Sequence, residues 1–80
     1  MTANVFPLTM LGQGHRAEIV ANESYGRGLL RHLEDLGLNS GTVIEVVTAG
    51  NPGPFLLATE DQQIALGQRI AAQIMVKNKN

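Results

Sequence analysis

Cysteine is absent from this 80-residue chain, so disulfides, thiolate nucleophiles and cysteine-based zinc sites are all excluded. Tryptophan is missing as well, and the aromatic residues are only Phe6, Tyr25 and Phe55. The core must therefore be built from Leu, Ile, Val and Ala, which leaves few large anchors for binding. There is no positive excess either: six Lys and Arg face seven Asp and Glu, for a net charge of −1. Proteins that grip nucleic acid draw most of their affinity from neutralising phosphates, so no nucleic-acid partner is expected. No apolar run approaches the roughly 20 residues that cross a bilayer. Residues 1–7 lack the basic start and apolar stretch of a secretory signal. These absences predict a soluble cytoplasmic protein without direct membrane insertion.

What is present is a folded globule. The apolar fraction is 44%, too high for disorder. A chain of this size buries roughly 60% of its unfolded surface around one core. There is no internal repeat or linker, so residues 1–80 form one domain, with its core at about 8–77.

Residues 33–46 carry the strongest local signal. Leu33 and Leu36 close an apolar helical stripe that begins at Leu29 and Leu30, with Arg27, Arg31, Glu34 and Asp35 on the outer face. Arg31 can reach Asp35 one turn on. Gly37 supplies the left-handed residue that ends a helix, and Leu38 falls where a Schellman cap presses it back onto Leu33. Asn39, Ser40 and Gly41 turn the chain, and the β-branched run 42–48 reads as a strand. The helix start is ambiguous, because Ser24 and Gly26 both suit an N-cap.

Elsewhere the pattern alternates. Ala17, Ile19 and Ala21 share one face of a strand, with Arg16, Glu18 and Val20 on the other. Leu8 to Gly14 reads as a lead-in. The stretch 49–54, rich in Gly and Pro, cannot continue a ladder. Phe55, Leu57 and Thr59 open another strand, and Asp61-Gln62 turns into residues 63–66. Residues 67–72 suit a single helical turn, Ile74 and Val76 a last strand, and 77–80 a frayed end. The expectation is a mainly β fold: a small SH3-like barrel of about five strands, with one α-helix between the first and second.

Candidate chemistry is thin. His15 and Glu18, three apart on a strand, face opposite ways. His32 and Asp35 could share a helical face, but two ligands make a weak exposed site. Ser24 and Ser40 sit in turns without a nearby base. Gly12-Gln13-Gly14 lacks the lysine and the following helix of a phosphate loop. No catalytic, cofactor or metal residues are assigned, and no enzyme activity is expected. Binding is the better-supported role. Arg27 and Arg31 form the most concentrated positive strip, suited to an acidic surface, although solvating the helix explains them equally well. Asn51, Pro52 and Pro54 form a stiff loop that serves either recognition or mere connection. Met10, Leu11, Val47 and Met75 would add apolar contact if exposed. Met10 and Leu11 equally suit a plug for the barrel end.

Three stretches together resemble the FeoA family, small cytoplasmic proteins associated with bacterial ferrous iron uptake. They are Gly14 to Ile19; Leu33 to Val46; and Gly53-Pro54 followed by Ile64 to Gly67, Ala71, Ile74 and Val76. Order and spacing hold from about residue 8 to 77. The resemblance implies an SH3-like barrel and an accessory role beside an FeoB-type iron permease, through its cytoplasmic G-protein domain. Many family members carry more basic residues in the helix and after the Ala-Leu pair, where this chain has Gly67. An acidic residue often stands where Asn51-Pro52 is found here. The same fold occurs at the C-terminus of DtxR-type metal-dependent repressors, so the alternative is a detached regulatory module of such a system. Self-association is left open.

Overall fold

Alternation of buried and more exposed side chains shapes the strands of this protein from Arg16 onward, broken at residues 47–48 and at Asn78. The structure, a computed structural model, describes residues 4–20, 26–50 and 53–79. The elements run β1 (Val5–Pro7), a 3-10 turn (Leu8–Met10), β2 (Arg16–Ile19), α1 (Arg27–Asp35), β3 (Val43–Thr48), β4 (Phe55–Ala58), β5 (Gln63–Leu66), α2 (Gln68–Ala71) and β6 (Met75–Asn78). All six strands join one antiparallel sheet in the order β1-β6-β2-β3-β4-β5, the mainly β SH3-like fold expected. Ala17 and Ile19, Ile44 and Val46, Phe55 and Leu57 turn inward on successive strands. They build a mainly aliphatic core, as the composition requires, with Phe55 buried in it and Phe6 packed against it.

The sequence reading missed β1. It is three residues long, ends in Pro7, and its register partners, Met75 to Lys77, lie some seventy positions away. No local window holds such a signal. Because β1 comes first, the expected opening strand is β2 and the helix falls between the second and third strands. The expected fraying at residues 77–80 is also corrected. Lys77 and Asn78 belong to β6, paired with Glu18 and Ala17, and the Lys79 N–H donates to the Arg16 carbonyl at 3.2 Å. Long-range pairing overrides the polar composition of that end.

The helix exit follows the cap geometry closely. The Leu38 N–H donates to the Leu33 carbonyl at 2.8 Å, and the Gly37 N–H to that of Glu34 at 3.0 Å. Those two bonds define a Schellman motif. Gly37 takes φ +80°, and Leu33 and Leu38 are both buried. Gln62, in the β4–β5 turn, donates its Nε2 to the Leu36 carbonyl at 2.9 Å. A remote hairpin thus satisfies one of the orphan carbonyls of α1. At the other end Gly26 is the N-cap, without a side-chain hydrogen bond. Ser24 lies outside the described residues.

The loop before β4 is held from α2. The Gln68 Nε2 donates to the carbonyls of Gly50 and Gly53. Gly50 sits so close that an added Cβ would come under 3.0 Å from backbone atoms of Gly53 and Pro54. Opposite, the Ala49 N–H donates to Gln13 Oε1 at 3.3 Å.

Gly37→Ala should therefore lower stability by about 1–2 kcal/mol, the cost of a left-handed alanine. Gly28→Ala, which meets nothing within 4 Å, should leave it unchanged or raise it by up to about 1 kcal/mol. Urea midpoints read both, and equal shifts would contradict the cap assignment. Gly50→Ala should cost about 1–3 kcal/mol by overpacking, measured by the same melts.

Candidate partner-binding surface

Helix α1 exposes a mixed strip. Arg27 and Arg31, one turn apart, are both solvent-exposed, with Leu30 between them at 38% relative exposure and Glu34 one turn beyond. The i, i+3, i+4, i+7 spacing puts these four on one helical face. Among the described residues neither arginine is in an ion pair. Glu18, by contrast, pairs with Lys77, at 3.8 Å, and with Lys79, at 3.2 Å. The Arg31–Asp35 contact expected along the helix is not formed.

Next to Leu30 the strip borders a recess of about 190 Å3. Ile19, Leu33 and Leu38 line its inner wall, and Asn39, Ser40 and Glu34 its rim. Schellman closure creates this hollow, because it folds residues 38–40 back beside the last turn of α1. An apolar side chain could enter there while an acidic neighbour met Arg27 or Arg31.

Pro54 is exposed at the entry to β4 and shares no hydrogen bond or ion pair with α1 among the described residues. Asn51 and Pro52 lie outside the described residues. The structure thus unites Arg27 with Arg31 and leaves Pro54 in a separate element. The apolar candidates also divide. Leu11 joins the core at 5% exposure, while Met10 is 72% exposed. Met75 is half-buried. So is Val47, which falls at a register shift where Val46 pairs with Leu57 and Thr48 with Leu56. A local bulge of this kind leaves the extra residue unpaired.

The other candidates remain dispersed. The His15 ring lies over Gly12, where an added Cβ would approach it to 3.1 Å, and the His15 N–H donates to the Gly12 carbonyl. His32 is exposed on α1. Among the described residues no group of three His, Cys, Asp or Glu side chains could hold a metal ion. A wider concavity, about 690 Å3, is an open groove between β2, β3 and the β4–β5 turn. It contains Arg16, Glu45, Glu60 and Asp61 but no histidine. Its Thr59 hydroxyl accepts from the N–H groups of Asp61 and Gln62, each at 3.3 Å, an ordinary turn function.

Two features escaped the sequence reading. Glu18, taken as an outward strand residue of no special role, is the anion that holds both C-terminal lysines. The cross-strand register of Glu18 with Lys77 brings them together, and nothing near Glu18 in sequence announces it. Gln13, Gln62 and Gln68 each fix a loop to a distant element, and glutamine in a loop carries no sequence signature for that task.

Known proteins agree with this architecture. The FeoA domain model matches residues 6–78. A relative from Methanocaldococcus jannaschii, named "Putative Fe(2+) transport protein A", is 31% identical over 74 residues, covering 92% of this chain and 88% of that one. The crystal structure of an iron uptake regulatory protein (FeoA) superimposes with a TM-score of 0.84 at 28% identity, covering 95% of this chain and 100% of that one. A manganese-dependent transcriptional repressor shares the fold at a TM-score of 0.85 and 18% identity, with 99% of this chain spanning 44% of the repressor. Among the described residues no helix is long and apolar enough to cross a membrane. With its family model spanning nearly the whole length and its fold matching throughout, the chain belongs to the FeoA family.

Proposed function

We propose that this protein is an accessory component of ferrous iron uptake. It would act by binding the cytoplasmic G-protein domain of an FeoB-type permease. The observation that carries this reading is the pair of exposed arginines on α1, without an ion pair among the described residues, flanking Leu30 beside an apolar recess. Family membership and the Fe(2+) transport name of the 31%-identical relative supply the context. The described residues offer recognition surfaces, and among them no group of three His, Cys, Asp or Glu side chains could hold a metal ion. A rigid barrel of this kind acts by binding one conformation of its partner better than another, shifting the partner's equilibrium by that difference alone. Arg27 and Arg31 would meet carboxylates, and Leu30 with its recess would take an apolar side chain.

The shared fold of the manganese-dependent repressor supports a second reading, a detached regulatory module. It differs in partner: such a module would bind the DNA-binding body of a metal-dependent repressor and leave the permease domain alone.

Equilibrium titration against both partners separates the two. Wild-type protein should bind the permease's cytoplasmic domain with an affinity that falls as salt rises. Arg27→Glu with Arg31→Glu should weaken binding at least about tenfold while the far-UV spectrum stays unchanged. Unchanged affinity in the double variant would remove α1 from the interface. Binding to the repressor body alone would replace the first reading with the second.

A further inference from the structure

The sheet has two edges, and they are guarded differently. β1 is three residues long and ends in Pro7, which has no N–H to offer a neighbouring chain. β5 has no such protection. Its four residues, Gln63 to Leu66, contain no proline and no charge.

The hydrogen-bond phase of the β4–β5 hairpin fixes which groups face outward. The Thr59 N–H donates to the Gln62 carbonyl at 2.9 Å, so that pair is hydrogen-bonded. Antiparallel pairs alternate. The pairs Ala58 with Gln63 and Leu56 with Ala65 are therefore the non-bonded ones. The N–H and C=O groups of Gln63 and Ala65 consequently point away from β4, toward the open edge. Among the described residues none of these four groups has a hydrogen-bond partner. Both side chains are exposed, while Ile64 and Leu66 anchor the strand in the core. The edge is thus both rigid and unoccupied by protein.

Beside it runs an open groove of about 490 Å3, walled on one side by Gln63, Ile64 and Ala65 and on the other by the end of α1. That wall includes the carboxylates of Glu34 and Asp35, both exposed and neither in an ion pair. They stand at the negative end of the α1 dipole, which further favours a cation.

We propose that the β5 edge is a strand-addition site for an extended segment of a partner protein that carries a lysine or arginine. The backbone of the segment would pair with Gln63 and Ala65, and its cationic side chain would meet Glu34 and Asp35. Main-chain pairing supplies affinity in such complexes, and the side-chain contact supplies selectivity. This site is opposite in sign to the Arg27–Arg31 strip and meets it only at Glu34, so Asp35 and the β5 edge report on it independently.

The test is an array of terminally blocked octapeptides of alternating valine and threonine, with one position varied through all amino acids. It is probed with the full chain, and amide hydrogen exchange is followed for the peptides that bind. Peptides with lysine or arginine should be retained at least about tenfold better than those with aspartate or glutamate. Bound peptide should slow exchange at the Gln63 and Ala65 amides. Ala65→Pro, which removes one edge donor, should abolish retention. Glu34→Lys with Asp35→Lys leaves the strand intact and should erase or reverse the charge preference even if the proline variant fails to fold. An array without retention or without cationic preference, or selection unchanged in the carboxylate variant, would overturn the proposal. So would self-association of the chain that protects the same two amides, since the edge would then belong to a second copy.

Discussion

The six-residue clamp from Leu33 to Leu38 is the constraint on which the rest of this molecule depends. Gly37 reverses the chain in the left-handed region, and the two Schellman bonds set the angle at which α1 leaves the barrel. Leu33 and Leu38 then share the core, so the turn is fixed by burial as well as by hydrogen bonds. Gln62 adds a third tie from the β4–β5 turn. The clamp therefore positions α1 relative to β2, β3 and β5 at once. The basic strip, the apolar recess and the acidic wall beside β5 are all bounded by α1 and take their shape from this clamp.

Charge is distributed with a consequence for binding. The two lysines, Lys77 and Lys79, gather on Glu18 within the barrel wall. Exposed pairs of this sort contribute about 0–1 kcal/mol, so their importance is less for stability than for what they leave unneutralised. Among the described residues Arg27 and Arg31 remain without an ion pair on one face of α1, as do Glu34 and Asp35 on its last turn. A nearly neutral chain thus presents a helix that is basic toward its start and acidic toward its end. A partner docking along α1, as proposed, would be oriented by that gradient, a steering effect that total charge alone would not reveal.

Much of this was legible in the sequence, and the reason is locality. The Leu33–Gly37–Leu38 cap depends on residues within one helical turn, so its geometry could be read directly. The buried faces of β2, β3 and β4 follow from alternation. The β4–β5 turn and the single turn of α2 fell where expected for similar reasons. Long-range features were not legible. β1 is too short and too proline-bound to show a period, and β6 reaches through Lys77 and Asn78 only because β2 and β1 flank it. Of the candidate binding residues, Arg27 and Arg31 were visible as charges, but their lack of a partner is a property of the fold. The composition of the Pro54 loop led to the expectation that it is stiff. The ties from Gln68 in α2 to Gly50 and Gly53, and the close packing of Gly50 against backbone, could not be read there.

The central claim is that this FeoA-family protein acts as a preformed docking body whose partner meets α1 on a barrel that does not change. Titration of the isotope-labelled chain with the permease's cytoplasmic G-protein domain, followed residue by residue through amide resonances, tests it most directly. The account predicts saturable shifts concentrated on Arg27 to Glu34 and residues 38–40, with the amides of Ile44, Val46 and Leu57 unmoved. Saturation without shifts on α1, or shifts spread through those core strands, would contradict it.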